Sequence, residues 1–137
     1  MTTTETITIG TELPPLQVEA ISRLTLALFA GASGDHNPMH VDIDAAKSVG
    51  LPDVFSHGML SMAYLGRLLT GWVPQERIRS YRVRFAAITP VYGAPTCRGR
   101  ITSIGDAADG EQRATIELAV ILADGTTTLI GDAVVAL

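Results

Sequence analysis

The sequence predicts an α+β domain in which one buried central helix is wrapped by a curved antiparallel sheet of about five strands. Three observations carry this. Residues 58–69 are apolar nearly all round, as in a helix buried on most sides. After Pro74 the period changes to two: Tyr81, Val83 and Phe85 alternate with Arg82 and Arg84, and residues 96–104, 113–122 and 127–135 continue in that style. Asp109-Gly110 and Asp124-Gly125 separate those runs as hairpin turns.

The earlier elements follow in order. Residues 5–10 alternate and stop at Gly10, which predicts a short first strand, and Leu13-Pro14-Pro15-Leu16 reads as a turn or extended connector. Ile21, Leu24, Leu28 and Phe29 recur at three- and four-residue steps, so residues 18–30 form an amphipathic helix that Gly31 and Gly34 end. Residues 44–49 form a second short helix stopped by Gly50 and Pro52. The four later strands are expected to run as an antiparallel meander. A single five-stranded sheet leaves exposed edges, so a second copy is expected to pair with it and make the sheet continuous.

Bulk properties narrow the function classes. The 137 residues fit one domain, 1–137, with 47% hydrophobic residues and no repeat or low-complexity tract. The run 58–73 carries Arg67 and is too short for a membrane span, and Met1 is not followed by the basic start of a signal peptide. Cys97 is the one cysteine, so a reducing cytoplasm is the default compartment. The net charge of −4 disfavours nucleic acid. Six of the ten basic residues (Arg77, Arg79, Arg82, Arg84, Arg98, Arg100) nevertheless fall in a span without Asp or Glu. They form either a solvated strand face or a patch for an anionic ligand, since the arginine fork suits phosphate.

The densest chemistry lies in Ala32-Ser33-Gly34-Asp35-His36-Asn37-Pro38-Met39-His40. His36 and His40 have the spacing of a helical metal-binding pair, with Asp35 and His57 available to complete a set. Pro38 biases Asn37 away from helical geometry, however, and no cysteine cluster or acidic cage supports a closed site, so no metal and no cofactor is expected. Ser33, Ser56 and Ser61 lack a nucleophile elbow, and Cys97 lies in a strand pattern. General acid–base work fits best: Asp35 and His40 reach one water if Pro38 turns the chain between them, and imidazole exchanges a proton near neutrality. Asn37 orients a reacting group or braces the loop. Against this stand a helix-cap role for Asp35 and a core role for His40. In Phe55-Ser56-His57-Gly58-Met59, Ser56 as N-cap would leave the N–H groups near Gly58 free to bind an oxyanion. Alternatively, Gly58 is merely small.

Taken together, the stretch 33–40 and Val54-Phe55-Ser56-His57-Gly58-Met59-Leu60 resemble the signature of MaoC-like (R)-specific enoyl-CoA hydratases and dehydratases. The likeness extends over nearly the whole chain, including Arg82-Val83-Arg84-Phe85 and Gly131-Asp132-Ala133-Val134-Val135. It implies a hotdog fold that dimerises, with Asp35 and His40 as a catalytic dyad holding a water, Asn37 as the loop asparagine and Gly58 as the backbone donor to a thioester oxygen. His57 and Met59 are placed beside Gly58 as substrate-contacting residues, and Arg82 and Arg84 as contacts to a CoA or carrier-protein phosphate. The implied reaction is reversible syn hydration of a trans-2-enoyl thioester to the (R)-3-hydroxyacyl thioester. Either proton assignment fits; the one adopted puts His40 on the water and Asp35 on the α-carbon proton. His36 departs from the apolar or aromatic residue often found there and receives no role. Two other readings share the fold: a thioesterase, and a dehydratase subunit active only with a related partner chain. A binding-only role fits less well, because the dyad is intact.

Overall fold

The computed structural model describes residues 6–137. In chain order it contains β1 (Leu16–Gln17), α1 (Arg23–Ser33), a 3-10 turn (Pro38–His40), α2 (Ile43–Ser48), α3 (Gly58–Thr70), a second 3-10 turn (Gln75–Arg77), β2 (Ile78–Phe85), β3 (Thr96–Asp106), β4 (Gln112–Ile121) and β5 (Thr127–Ala136). The strands form one antiparallel sheet that curls around α3, the expected hotdog arrangement. Among the described residues, no helix is long and apolar enough to cross a membrane.

The β3–β4–β5 hairpins close where the turn chemistry places them. Gly110 and Gly125 adopt φ of 82° and 88°, and the Asp109 and Asp124 side chains each accept the backbone N–H two residues on. The simple four-strand meander is corrected: the order is β1-β3-β4-β5-β2, so β2 pairs with β5 and not with its sequence neighbour β3. The reason lies in residues 86–95, whose backbone bonds with the helical layer instead of turning back as a hairpin. Ser56 N–H donates to Thr89 O, Tyr92 N–H to Ile21 O, and Ile21 N–H to Gly93 O.

The N-terminal reading also needs correction. Glu5 lies outside the described residues, and residues 6–10 carry no strand. Gly10, at φ 92°, turns the chain; an isolated antiparallel bridge joins Glu12 to Arg100, and the short strand forms at Leu16–Gln17, opposite Cys97 and Thr96. Pro14 and Pro15 have no N–H to give to a ladder, which keeps β1 short.

Helix α1 starts at Arg23, not at 18, because Ser22 caps it by accepting the Thr25 N–H, while Val18 and Ile21 bond as extended chain to Pro95 and Gly93. Gly34 ends it in the left-handed region at φ 77°. This start sets a different face inward. Leu26 and Ala30 are buried with Ile21, Ala46, Val54, Leu60 and Val91, whereas Leu24 and Leu28 are 68% and 65% exposed.

Helix α3 buries Leu65, Leu68 and Leu69 against Ile101, Ile116, Leu118 and Leu129 of the sheet, while Leu60 packs on the α1–α2 side. Each fully buried leucine is worth roughly 1.5–3 kcal/mol. Met59, Ala63 and Arg67 emerge at the surface, so the helix is less enclosed than its composition suggests. Its N-cap is His57, not Ser56, whose Oγ–H instead donates to the His57 carbonyl. Tyr81, on the inner face of β2, donates its hydroxyl to Met62 O of α3, joining sheet and helix.

Half of the arginine-rich span is met by acids from neighbouring segments. Arg79 binds Glu111 through two bonds of 2.9 and 2.8 Å, Arg82 meets Asp132 at 3.0 Å, and Arg100 meets Glu117 at 3.5 Å. Arg113 adds a bond of 2.8 Å to Glu111. Arg79 and Arg113 together hold the Glu111 carboxyl well down, from 4.5 to about 2. A depressed carboxylate stabilises the fold above its unfolded pKa and loses that contribution as pH falls toward its folded one. Glu111→Gln therefore lowers the thermal midpoint at pH 7, and the gap to wild type closes between about pH 4.5 and 2. A gap independent of pH, measured by calorimetry across that window, would show that the ion cluster contributes nothing.

Candidate active site

The loop between α1 and α2 is organised by a relay of side chains, each accepting the N–H two residues further on. Ser33 Oγ accepts from Asp35 N–H at 3.1 Å, Asp35 Oδ1 from Asn37 N–H at 3.2 Å, and Asn37 Oδ1 from Met39 N–H at 3.1 Å. Pro38, with no N–H and a preset φ, starts the 3-10 turn that delivers His40 inward. The local pattern Ser-x-Asp-x-Asn-Pro-x-His thus encodes its own backbone.

His40 is 6% exposed, and its Nδ1 lies 2.7 Å from the Phe55 carbonyl oxygen. A carbonyl only accepts, so Nδ1 carries the proton, and in the neutral ring Nε2 holds the lone pair. That Nε2 stands 3.8 Å from Asp35 Oδ2, too far for a direct hydrogen bond and close enough for both to bind one small oxygen species. The Asp35 side chain is half exposed, so the pair opens to solvent on the carboxylate side.

His57, read from sequence as a substrate contact, is buried at 1% exposure behind His40. Its ring stacks on the His40 ring with centroids 3.9 Å apart and planes inclined by 25°. Its Nε2 lies 3.1 Å from the Asp35 carbonyl oxygen, so Nε2 carries the proton, and its Nδ1 is buried without a partner among the described residues. Burial, above all, holds its pKa below the ordinary 6.5, and the neighbouring His40 adds to that lowering.

Asp35, His40 and His57 have ligand atoms within 4.8 Å of one another. One nitrogen of each ring is spent on a carbonyl, which leaves His40 Nε2 and His57 Nδ1 beside the Asp35 carboxylate as the available donors.

Gly58 is the first residue of α3, and its N–H has no hydrogen-bond partner among the described residues. It lines a cavity of about 340 Å³ with Phe55, Ser56, Phe85, Ala86, Ala87, Ile88, Thr89 and Leu129. A side chain at 58 would come within 2.8 Å of the Phe85 ring, so glycine is what lets Phe85 lie against the helix start. Phe55 joins the two parts of the site: its carbonyl anchors His40, its ring packs edge-on to His40 at 4.8 Å, and it borders the cavity.

Other expected site residues fall elsewhere. Asn37 braces the loop through Met39, and His36 is exposed. Met59 is 54% exposed and does not line the cavity. Arg82 borders a different hollow with Ser80, Thr102, Thr115, Glu117 and Asp132, on the sheet face opposite Tyr81, and Arg84 shares that strand face. Within this chain neither arginine joins the Asp35–His40 pair. Sequence reasoning missed Phe55, which acts through its backbone carbonyl, and the Phe85–Thr89 wall. Only the break in strand alternation after Phe85 hinted at the wall.

A carboxylate and an imidazole thus face each other across a short gap, and a helix start with an unpaired N–H among the described residues follows Phe55 and His57 on the same hotdog scaffold. The MaoC like domain profile matches residues 5–125. The chain is 37% identical over 93 residues to the 3-hydroxyacyl-thioester dehydratase X of Mycobacterium tuberculosis, covering 68% of this chain and 31% of that protein. It is 28% identical over 106 residues to dehydratase Z of the same species, covering 73% and 70%. Among solved structures, the (R)-hydratase of A. caviae involved in PHA biosynthesis superposes with a TM-score of 0.83 at 24% identity, covering 97% and 98% of the two chains. This chain belongs to the MaoC-like dehydratase domain family. It spans about a third of the length of dehydratase X.

Proposed function

We propose that the protein catalyses reversible syn hydration of a trans-2-enoyl thioester to the (R)-3-hydroxyacyl thioester, with CoA or acyl carrier protein as the thiol. The observation that carries this reading is the His40 tautomer. The Phe55 carbonyl fixes Nδ1 as the protonated nitrogen, which aims the basic Nε2 at Asp35 Oδ2 across a 3.8 Å gap. The dehydratase relatives support the same class of reaction.

In this reading, one mobile proton is shared between Asp35 and His40. In dehydration the Asp35 carboxylate takes the proton from C2, and the electron pair passes into the thioester as an enolate. The Gly58 N–H steadies the enolate oxygen. Protonated His40 gives its Nε2 proton to the leaving C3 hydroxyl, which departs as water. The proton then returns from Asp35 to His40. Hydration runs the same steps backwards. One donor of the Gly58 kind is worth roughly 3 kcal/mol of barrier. The cavity next to Gly58, walled by Phe85, Ile88 and Leu129, takes the acyl chain.

β2 is one edge of the sheet. Two copies joined at that edge would bury exposed Phe85 and continue the sheet. A related hotdog chain would fit the same edge, and the ChsH1-ChsH2 complex of Mycobacterium tuberculosis contains a chain that superposes on this one with a TM-score of 0.81.

The assay mixes purified protein with crotonyl-CoA and follows enone absorbance and free thiol in parallel. Absorbance loss without thiol is expected. Thiol release would replace the hydratase reading with a thioesterase. Activity only after adding a related chain would establish the paired-subunit form.

A further inference from the structure

We propose that His57 is a positioning residue of the acid–base site: its Nε2–H holds the Asp35 backbone, and its neutral ring is the platform on which His40 changes charge. This rests on the hydratase reading of Asp35 and His40. Three features carry it.

First, His57 reaches both members of the pair by different means. It bonds the Asp35 carbonyl oxygen at 3.1 Å from one edge and stacks under the His40 ring at 3.9 Å with its face. A residue present only to fill the core needs neither contact. Phe29 of α1 closes the remaining side of the ring edge-on, with centroids 4.8 Å apart, so the imidazole has one available orientation.

Second, the bond to Asp35 settles which nitrogen is protonated, because a carbonyl oxygen offers no proton. The second nitrogen, Nδ1, is then a lone pair, and it is buried with no partner among the described residues. An unpaired buried acceptor is costly, which a purely structural side chain would not be selected to bear. Here it has a consequence. Protonating Nδ1 would create a buried cation whose new N–H has nothing to bond.

Third, the titratable groups facing His57 are His40 in the stack and Asp35 at the loop; Phe29 contributes none. A second positive charge 3.9 Å from a protonated His40 would be strongly unfavourable in a buried setting. A neutral ring presents its π face to the His40 cation, which is attractive. Burial, the largest influence, and the neighbouring His40 lower the His57 pKa against the opposing pull of the Asp35 carbonyl and carboxylate, and the net direction is downward. His57 therefore stays neutral while His40 gains and gives up its proton. The His57 bond holds the Asp35 backbone and the Asn37 N–H holds its Oδ1, and together they support the carboxylate 3.8 Å from His40.

The first test uses the wild-type protein and does not depend on activity. Imidazole nitrogen NMR of uniformly 15N-labelled protein from pH 5 to 9 is expected to show His57 as the Nε2–H tautomer throughout, with no titration. A His57 that titrates between pH 5 and 8, or carries its proton on Nδ1, would overturn the proposal whether or not the protein hydrates crotonyl-CoA. The second test separates bond from platform. His57→Gln keeps an amide N–H able to reach the Asp35 carbonyl, and His57→Phe keeps the ring without the donor. In folded protein, His57→Phe is expected to lower kcat for crotonyl-CoA by about 10- to 100-fold, the scale of a small misplacement of reacting groups, with KM within about threefold. It is also expected to shift the limb of the pH–rate profile that reports His40, and His57→Gln is expected to recover part of kcat. A folded His57→Phe variant with wild-type kcat and pH profile would reduce His57 to a core residue.

Discussion

Asp35→Asn and His40→Gln are each expected to lower the rate of crotonyl-CoA hydration by about 10²–10⁴-fold, the usual contribution of a positioned acid or base. In the asparagine variant the Oδ1 that accepts the Asn37 N–H is retained, so the loop relay survives while the proton-carrying oxygen is lost. Asp35 is half exposed, and removing its charge should leave the thermal midpoint nearly unchanged. His40 is buried against Phe55 and His57, so its variant is expected to cost some stability as well as activity, and the rate is read at a temperature where it remains folded. The double variant should be no slower than the slower single one, because two groups that share one proton act as a unit. Near-wild-type turnover in either folded single variant would remove that residue from the chemistry.

The second large effect lies outside the reacting groups. Gly131 on β5 faces Val83 of β2, and a Cβ there would run into the Arg82 carbonyl oxygen and come within 3.0 Å of the Val83 Cα. Both obstacles are backbone, so no side-chain rotation relieves them. Gly131→Ala should push β2 off β5 and cost about 1–3 kcal/mol or more. The edge strand carries Phe85 into the cavity wall, so loosening it disturbs the surface beside Gly58 as well as the sheet. The expected signature is a fall in thermal midpoint together with faster amide exchange in residues 78–85 than in β3 and β4. A thermal midpoint equal to wild type would show that the two strands separate at little cost.

Side-chain periodicity and turn residues made most of the sheet legible. The Asp109-Gly110 and Asp124-Gly125 turns left one way to arrange β3, β4 and β5, and the alternation of Tyr81, Val83 and Phe85 identified β2. Strand order was not legible, because nothing in residues 86–95 announces that Thr89 and Tyr92 bond to the helical layer. The phase of α1 was misread at Leu24 and Leu28, which face solvent, while Ile21 is buried ahead of the helix; the Ser22 cap decides which face is inward. At the site, the placement of Asp35 facing His40 and of Gly58 at a helix start was legible from the motif and its spacing. Groups acting through the backbone were not. The Phe55 carbonyl that sets the His40 tautomer has no sequence signature, and a histidine beside a glycine does not say whether it faces substrate or lies behind the pair, as His57 does. The acidic partners of three arginines were not legible either, since Glu111, Asp132 and Glu117, distant in sequence, meet Arg79, Arg82 and Arg100 across the sheet.

The central claim, that a fixed Asp35–His40 pair adds water across a thioester-activated double bond, is tested most directly by the product formed from crotonyl-CoA in deuterium oxide. The account predicts an intact thioester carrying an (R) hydroxyl at C3 and one deuterium at C2, added to the same face. Free CoA, an (S) alcohol, or deuterium on the opposite face would contradict it.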